Sequence, residues 1–291
     1  MNSTFKAALW MIGAIASFSA MAVAGRELSQ VHDTFEIMMY RSLVGIVVVS
    51  MVLTATASWP QVSRANFGLQ VIRNSVHFAG QNLWFWALTL IPLAQVFALE
   101  FTQPLWVILL SPLLLGERLT AMRIMAALIG FAGVLIVTRP WGAVLNMGIL
   151  AAAGSAIFFA LTTISTKKLT QVTSIGCIMF WLTVIQAGLG IVAAAADLHI
   201  TLPTMQTAPW LVLVGLCGLL AHFCITNALA IAPATVVVPI DFVRLPTIAV
   251  IGMLMYHETL DIYVFLGALV IFAGNYLNII NTVNNASESE A

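Results

Sequence analysis

Ten apolar runs, each about the length of one bilayer crossing, follow one another along this sequence with almost nothing between them. They cover approximately residues 5–25, 35–57, 67–90, 93–115, 120–138, 146–166, 174–196, 209–230, 234–255 and 261–281. A hydrocarbon core about 30 Å thick is crossed by roughly 20 apolar residues of helix, because each backbone N–H and C=O must find its partner within the segment. The longest connections, Ser58–Asn66 and Asp197–Ala208, leave no stretch for a water-soluble domain. Only 8% of the residues are charged, against about 25% in soluble domains, too few to cover a water-facing surface. The expectation is an all-α integral membrane protein of ten transmembrane helices, with the lipid bilayer as its surroundings. A net charge of zero provides no basic patch for a nucleic-acid partner. Cys177, Cys217 and Cys224 lie inside apolar runs without metal-ligand spacing and read as small core residues, so neither metal nor cofactor is expected.

The second half duplicates the first. Residues 87–120, ALTLIPLAQVFALEFTQPLWVILLSPLLLGERLT, align without gaps to 228–261, ALAIAPATVVVPIDFVRLPTIAVIGMLMYHETLD, at an offset of 141 positions. The match pairs Pro92 with Pro233, Glu100 with Asp241, Phe101 with Phe242 and Glu117 with Glu258, and the same offset pairs Gly133 with Gly274. Chance similarity between two apolar halves produces matched Leu and Val, but hardly matched Pro, Glu/Asp and Phe in one register. The chain therefore divides into a five-helix repeat over 1–141, a second over 142–282, and a polar tail over 283–291 expected to fray. Two tandem copies of an odd-numbered unit enter the membrane from opposite sides, which makes them inverted repeats, an architecture of transporters. The repeat also disposes of a signal peptide suggested by Lys6 and Ala22-Val23-Ala24, since the same run recurs mid-chain.

Charge follows the membrane side rather than the repeat. With the N-terminus inside, inner ends and loops hold Lys6, Arg64, Arg73, Arg118, Arg123, Lys167 and Lys168, and outer ones only Arg26 and Arg139. The repeat mates of Arg64, Arg73, Arg118 and Arg123 are Met205, Val214, Thr259 and Val264, all uncharged in the half expected to be flipped. Both termini are thus expected inside.

The block ending in LLLGERLT, followed by ALIGFAGVLIV, resembles the drug/metabolite transporter superfamily, in its ten-helix branch with two EamA-type repeats. Each family repeat carries a proline-bearing fourth helix, a Gly-Glu pair and a fifth helix with spaced glycines. The first copy here has Pro104, Pro112, Gly116-Glu117, Gly130 and Gly133; the second has Pro246, Glu258, Gly267 and Gly274, with His257 in place of the glycine. Tyr40-Arg41-Ser42 near the start of the second helix is also family-like, and its arginine is replaced by Leu182 in the second copy. The resemblance implies a central cavity lined by the third, fourth, eighth and ninth helices with the first and sixth, and peripheral fifth and tenth helices. It implies transport of small organic molecules without naming one.

Charges at bilayer depth are costly, and by default they are paired or face a wet functional cavity. Asp241 and Arg244, three residues apart, share one face of the ninth helix. Their repeat mates are Glu100 and Gln103. Pro239 and Pro246 bracket the pair, and proline kinks a helix and frees carbonyls. Arg41 enters from the same side as Glu100 to similar depth and is expected to be its counter-charge. On the third helix Arg73, His77, Gln81 and Trp84 fall on one face, with Asn82 and Trp86 nearby, as a hydrogen-bonding cavity wall would. His222 and Asn227 are further candidates on the eighth, and Trp106 and Phe101 further rings for stacking. Each of these sets can instead be a structural lock between helices. Glu117 and Glu258 read as structural, accepting backbone N–H groups of the next helix at the 4–5 and 9–10 corners. Ala126, Gly130, Gly267 and Ala273 suit close helix packing, within the chain or in a homodimer through helices 5 and 10.

The expected function is secondary transport of a small polar or zwitterionic metabolite by alternating access, proton-coupled or by exchange; no GxxxxGK[ST] loop suggests ATP drive. An enzyme is not expected, since GxSxG and HExxH are absent and the histidines are scattered. A non-transporting scaffold or sensor is the alternative. Short loops suit a bacterial inner membrane.

Overall fold

The computed structural model describes residues 3–116, 121–139, 146–196, 198–231, 240–241 and 243–290. Among the described residues the regular structure is helical: α1 Ser3–Leu28, α2 Thr34–Ala55, a 3-10 turn Trp59–Gln61, α3 Phe67–Leu90, α4 Leu93–Glu100, α5 Gln103–Leu115, α6 Ala121–Thr138, α7 Met147–Thr170, α8 Ile175–Ala194, α9 Ala208–Ile231, α10 Arg244–Tyr256 and α11 Ile262–Glu290. The last helix runs through the tail expected to fray. Seven helical stretches of the described chain are long and apolar enough to cross a bilayer. The 24-residue α3 is long enough but not among them, because its buried face carries Gln70, Arg73, Asn74, His77, Gln81 and Asn82. Its polarity is turned into the protein, so packing rather than hydropathy makes it a bundle helix.

Local signals recur at the repeat offset. Asp33 caps α2, accepting from Glu36 N while the Glu36 side chain reaches back; its mate Ser174 caps α8, accepting from Cys177 N. Gly116 ends α5 at φ 69° and its mate His257 ends α10 at φ 54°. The second copy keeps the left-handed end although it lacks the glycine that adopts it freely, at a cost of roughly 1 kcal/mol.

The two halves interlock. The main packing pairs are α1 with α9, α3 with α7, α2 with α8, and α6 with α11. Shifting by the repeat offset exchanges the first two pairs and returns each of the others to itself. In the α6–α11 pair, a Cβ on Gly133 would stand 2.6 Å from Gly267 O, one on Gly267 2.7 Å from Gly133 O, and one on Gly274 2.6 Å from Ala126 O. Backbone touches backbone, as small residues permit. The glycine faces are therefore occupied within the chain. Ala273, expected in this seam, is exposed, and its neighbour Gly274 takes the place.

Candidate functional site

The fourth apolar run is two helices rather than one. Pro104 has no N–H to offer the carbonyl one turn back, that of Glu100, and the helix divides between α4 and α5 at Phe101 and Thr102. Side chains bond carbonyls around the break: Thr102 Oγ1 donates to Leu99 O at 2.6 Å, beside its own N–H, and Asn275 Nδ2 donates to Phe101 O at 2.9 Å. The mate of Thr102, Val243, is likewise a turn residue, between the helical Ile240 and Asp241 and the start of α10 at Arg244. Asn275 comes from the tenth helix, which was expected to be peripheral. Asn275→Leu should lower stability by about 1–3 kcal/mol through the unsatisfied Phe101 carbonyl, read as a fall in melting temperature.

The two breaks meet through Arg244. Its Nη2 lies 3.3 Å from Glu100 Oε1 and 3.2 Å from Asp241 Oδ2. Its guanidinium carbon stands 4.6, 5.0 and 4.9 Å from the ring centroids of Phe18, Phe97 and Phe101. Such cation–π contacts supply about 0.5–2 kcal/mol each as the site becomes drier, and here the side chain is 5% exposed. Trp84 Nε1 donates to Glu100 Oε2 at 2.8 Å, while Asp241 Oδ1 is buried without a hydrogen-bond partner among the described residues. A cavity of about 110 Å³ opens beside the group, lined by Glu100, Gln103, Asp241, Arg244 and Asn275, with room for more than one water. Two carboxylates share one guanidinium, so with both ionised one negative charge is left for a proton or a ligand cation to neutralise.

Arg41 is not the counter-charge of Glu100. Its Nη1 faces Met38 Sδ at 3.9 Å, and it lines a separate cavity of about 20 Å³ with Thr183, Gln186 and Gly215. Similar depth was not enough, because α2 packs on α8 and α9 while α4 packs on α7 and α10. The α3 face is continuous as expected: Arg73, His77, Gln81 and Trp84 are all buried. Trp84 meets Glu100 at one end, and at the other Arg73 Nε donates to Thr166 Oγ1 at 3.1 Å. Between them His77 faces His222, ring centroids 6.3 Å apart, and the His222 ring meets Phe18 at 5.8 Å. A polar seam thus joins the Arg244 group to Arg73.

Gln103 lines the cavity beside Arg244 and donates through Nε2 to Thr163 Oγ1 at 2.6 Å. Other candidates lie apart: Asn227 bonds back to Phe223 O of its own helix, Trp86 is exposed and Trp106 packs on Phe131. Glu258 reaches into the other repeat rather than along its own corner. It accepts from Leu93 N, the first residue of α4, at 3.0 Å and pairs with Arg26. Arg26 in turn donates to Leu88 O and Ile91 O. The first turn of α4 has N–H groups with no partner within the helix, and Leu93 N gives its hydrogen to this carboxylate. Glu117 and Pro239 lie outside the described residues. Sequence reasoning missed Phe18, Phe97 and Asn275. Only Asn275, an amide inside an apolar run, carried a signal.

The EamA-like transporter family matches residues 5–139 and again 146–280. A riboflavin transporter of Brucella anthropi is 34% identical over 79% of this chain and 84% of its own. One from Vibrio cholerae is 30% identical over 91% and 89%. An S-adenosylmethionine uptake transporter of Rickettsia bellii is 26% identical over 90% and 89%. A solved crystal structure covering 96% of this chain superposes with a TM-score of 0.66 at 19% identity, a likeness of fold.

Proposed function

The chain belongs to the EamA-like transporter family, and from that premise we propose that it is a secondary transporter moving a small polar or zwitterionic organic metabolite by alternating access. The observation that carries this reading is the Glu100–Arg244–Asp241 group, set where two mated helices break and the two repeats touch. Broken helices with charges at the repeat interface are how transporters of this architecture build a midplane site. The topology that goes with it has ten spans in two inverted repeats, both termini inside, in a bacterial inner membrane. The positive-inside distribution and the exchange of packing partners under the repeat offset support it. Any homodimer through α6 and α11 would use their outward faces, where Leu128 and Leu269 are exposed.

The relatives named for riboflavin and S-adenosylmethionine set the first substrates to try. In liposomes carrying the purified protein, counterflow of labelled riboflavin or S-adenosylmethionine is expected well above that in empty liposomes. A wider panel of amino acids, vitamins and nucleosides follows. A properly inserted protein that moves none of them would sink the transporter reading.

A further inference from the structure

Arg41 and Arg73 are the two buried cations the Arg244 group leaves unexplained. Each of the seven acids whose side chains are described is engaged elsewhere. Glu100 and Asp241 face Arg244, Glu258 faces Arg26, and Asp261 faces Arg139. Glu36 faces His32, Asp33 caps α2, and Glu27 accepts from Tyr256. Among the described residues neither Arg41 nor Arg73 has a carboxylate. Among the described residues Arg73 donates only to the neutral oxygens of Thr166 and Asn74, and Arg41 Nε is buried with no partner. The two cations flank one pair of rings: Arg73 lies one turn from His77 on α3, His77 faces His222 with ring centroids 6.3 Å apart, and the Arg41 guanidinium packs on Gly218, one turn before His222 on α9.

Among the described residues the surroundings supply further polar nitrogens and no negative charge: Gln186 Nε2, which lines the small cavity beside Arg41, is buried without a partner, as are both ring nitrogens of His77. Helix α9 is shaped around the guanidinium: a Cβ on Gly218 would stand 2.7 Å from Arg41 Nη2 and 2.9 Å from Nε. Gly218 is the repeat mate of His77, so the half facing Arg41 has space where the other half has a ring. Like charges gathered in a low-dielectric interior call for a counter-ion, and planar guanidinium forks fit an oxyanion.

We propose that Arg41 and Arg73 form an oxyanion site that holds the carboxylate or phosphate of the transported molecule. The cavity beside Arg41 has room for about one water, so the oxyanion enters as the α2–α9 contact at Gly215 and Gly218 loosens. The seam along α3 then separates an anion end at Arg41 and Arg73 from an acid end at Glu100 and Asp241. His77 and Trp84, seven residues apart on α3, mark a separation of roughly 10 Å. Calling the ligand a transported molecule rests on the transporter reading; the oxyanion site itself does not.

The test is thermal unfolding of the purified protein in detergent, titrated with inorganic phosphate and with acetate against potassium chloride of equal ionic strength. At least one oxyanion is expected to raise the wild-type melting temperature, saturably, by at least about 3 °C over chloride. Arg64→Gln, at an exposed loop position, should keep the shift; Arg41→Gln and Arg73→Gln should lose it. Gly218→Ala, which keeps the charge but crowds the guanidinium, should weaken it. Without oxyanion, Arg41→Gln should melt no lower than wild type, because it removes an uncompensated buried charge. Equal shifts in chloride, or the same oxyanion response in Arg41→Gln and Arg73→Gln, would overturn the proposal. A protein that transports but ignores oxyanions keeps the transporter reading and loses this one; oxyanion binding through Arg41 and Arg73 without transport does the reverse.

Discussion

Arg244→Leu is expected to lower stability by about 3–5 kcal/mol, the usual cost of stripping one partner from a buried charge pair, and to abolish transport. The single guanidinium holds both carboxylates and sits among three phenylalanine rings. Without it Glu100 keeps only the Trp84 N–H, and Asp241 keeps no partner among the described residues. Arg244→Lys should fall between, since an ammonium keeps the charge but not the planar fork that stacks on rings. Adding Glu100→Gln and Asp241→Asn to Arg244→Leu should recover most of the loss, because a neutral site has no charge left to desolvate. Melting temperatures of the single, double and triple variants in one detergent close the cycle. A single variant as stable as wild type would show that Arg244 does not hold the two breaks together.

That group shows where sequence reasoning reached and where it stopped. The apolar helices, the repeat offset and the buried charges were legible, because they are one-dimensional properties of the chain. The pairing of Glu100 with Arg244, 144 positions later, was not. Depth below the surface can be counted along a helix, and by that count Arg41 was the better partner. Position around the bundle cannot be counted, and it depends on how the repeats interlock. The division of the fourth run was half visible. Pro104 announced a lost hydrogen bond, but only the tertiary structure supplies Asn275 to bond the Phe101 carbonyl next to it. Gly133, Gly267 and Gly274 were readable as a close-packing face in the same partial way, since small residues say that a backbone approaches and not which one. Glu258 repeats the lesson: its need for N–H groups was predictable, whereas their source at the start of α4 was not.

In the proton-coupled form of the transporter proposed above, Asp241→Asn is expected to uncouple transport from a proton gradient, whereas Glu100→Gln should weaken transport without uncoupling it. Both oxygens of Glu100 are engaged, one facing Arg244 at 3.3 Å and the other accepting from Trp84 at 2.8 Å. Asp241 offers Oδ2 to Arg244 at 3.2 Å, its Oδ1 is buried without a partner among the described residues, and the residue lines the cavity of about 110 Å³. Each oxygen of Glu100 already accepts a donor, whereas one oxygen of Asp241 does not. On the transporter reading proposed above, that makes Asp241 the carboxylate to test for coupling and Glu100 the anchor that keeps Arg244 in place. A pH gradient of one unit stores about 1.4 kcal/mol per proton, enough for about tenfold accumulation of a neutral solute moved with one proton. With the membrane potential clamped, wild-type liposomes should approach that ratio and Asp241→Asn liposomes should stay near equal concentrations on the two sides. Exchange of labelled for unlabelled solute should persist in Asp241→Asn, because no net proton movement is needed. Accumulation that survives in Asp241→Asn but collapses in Glu100→Gln would assign the proton to the other acid.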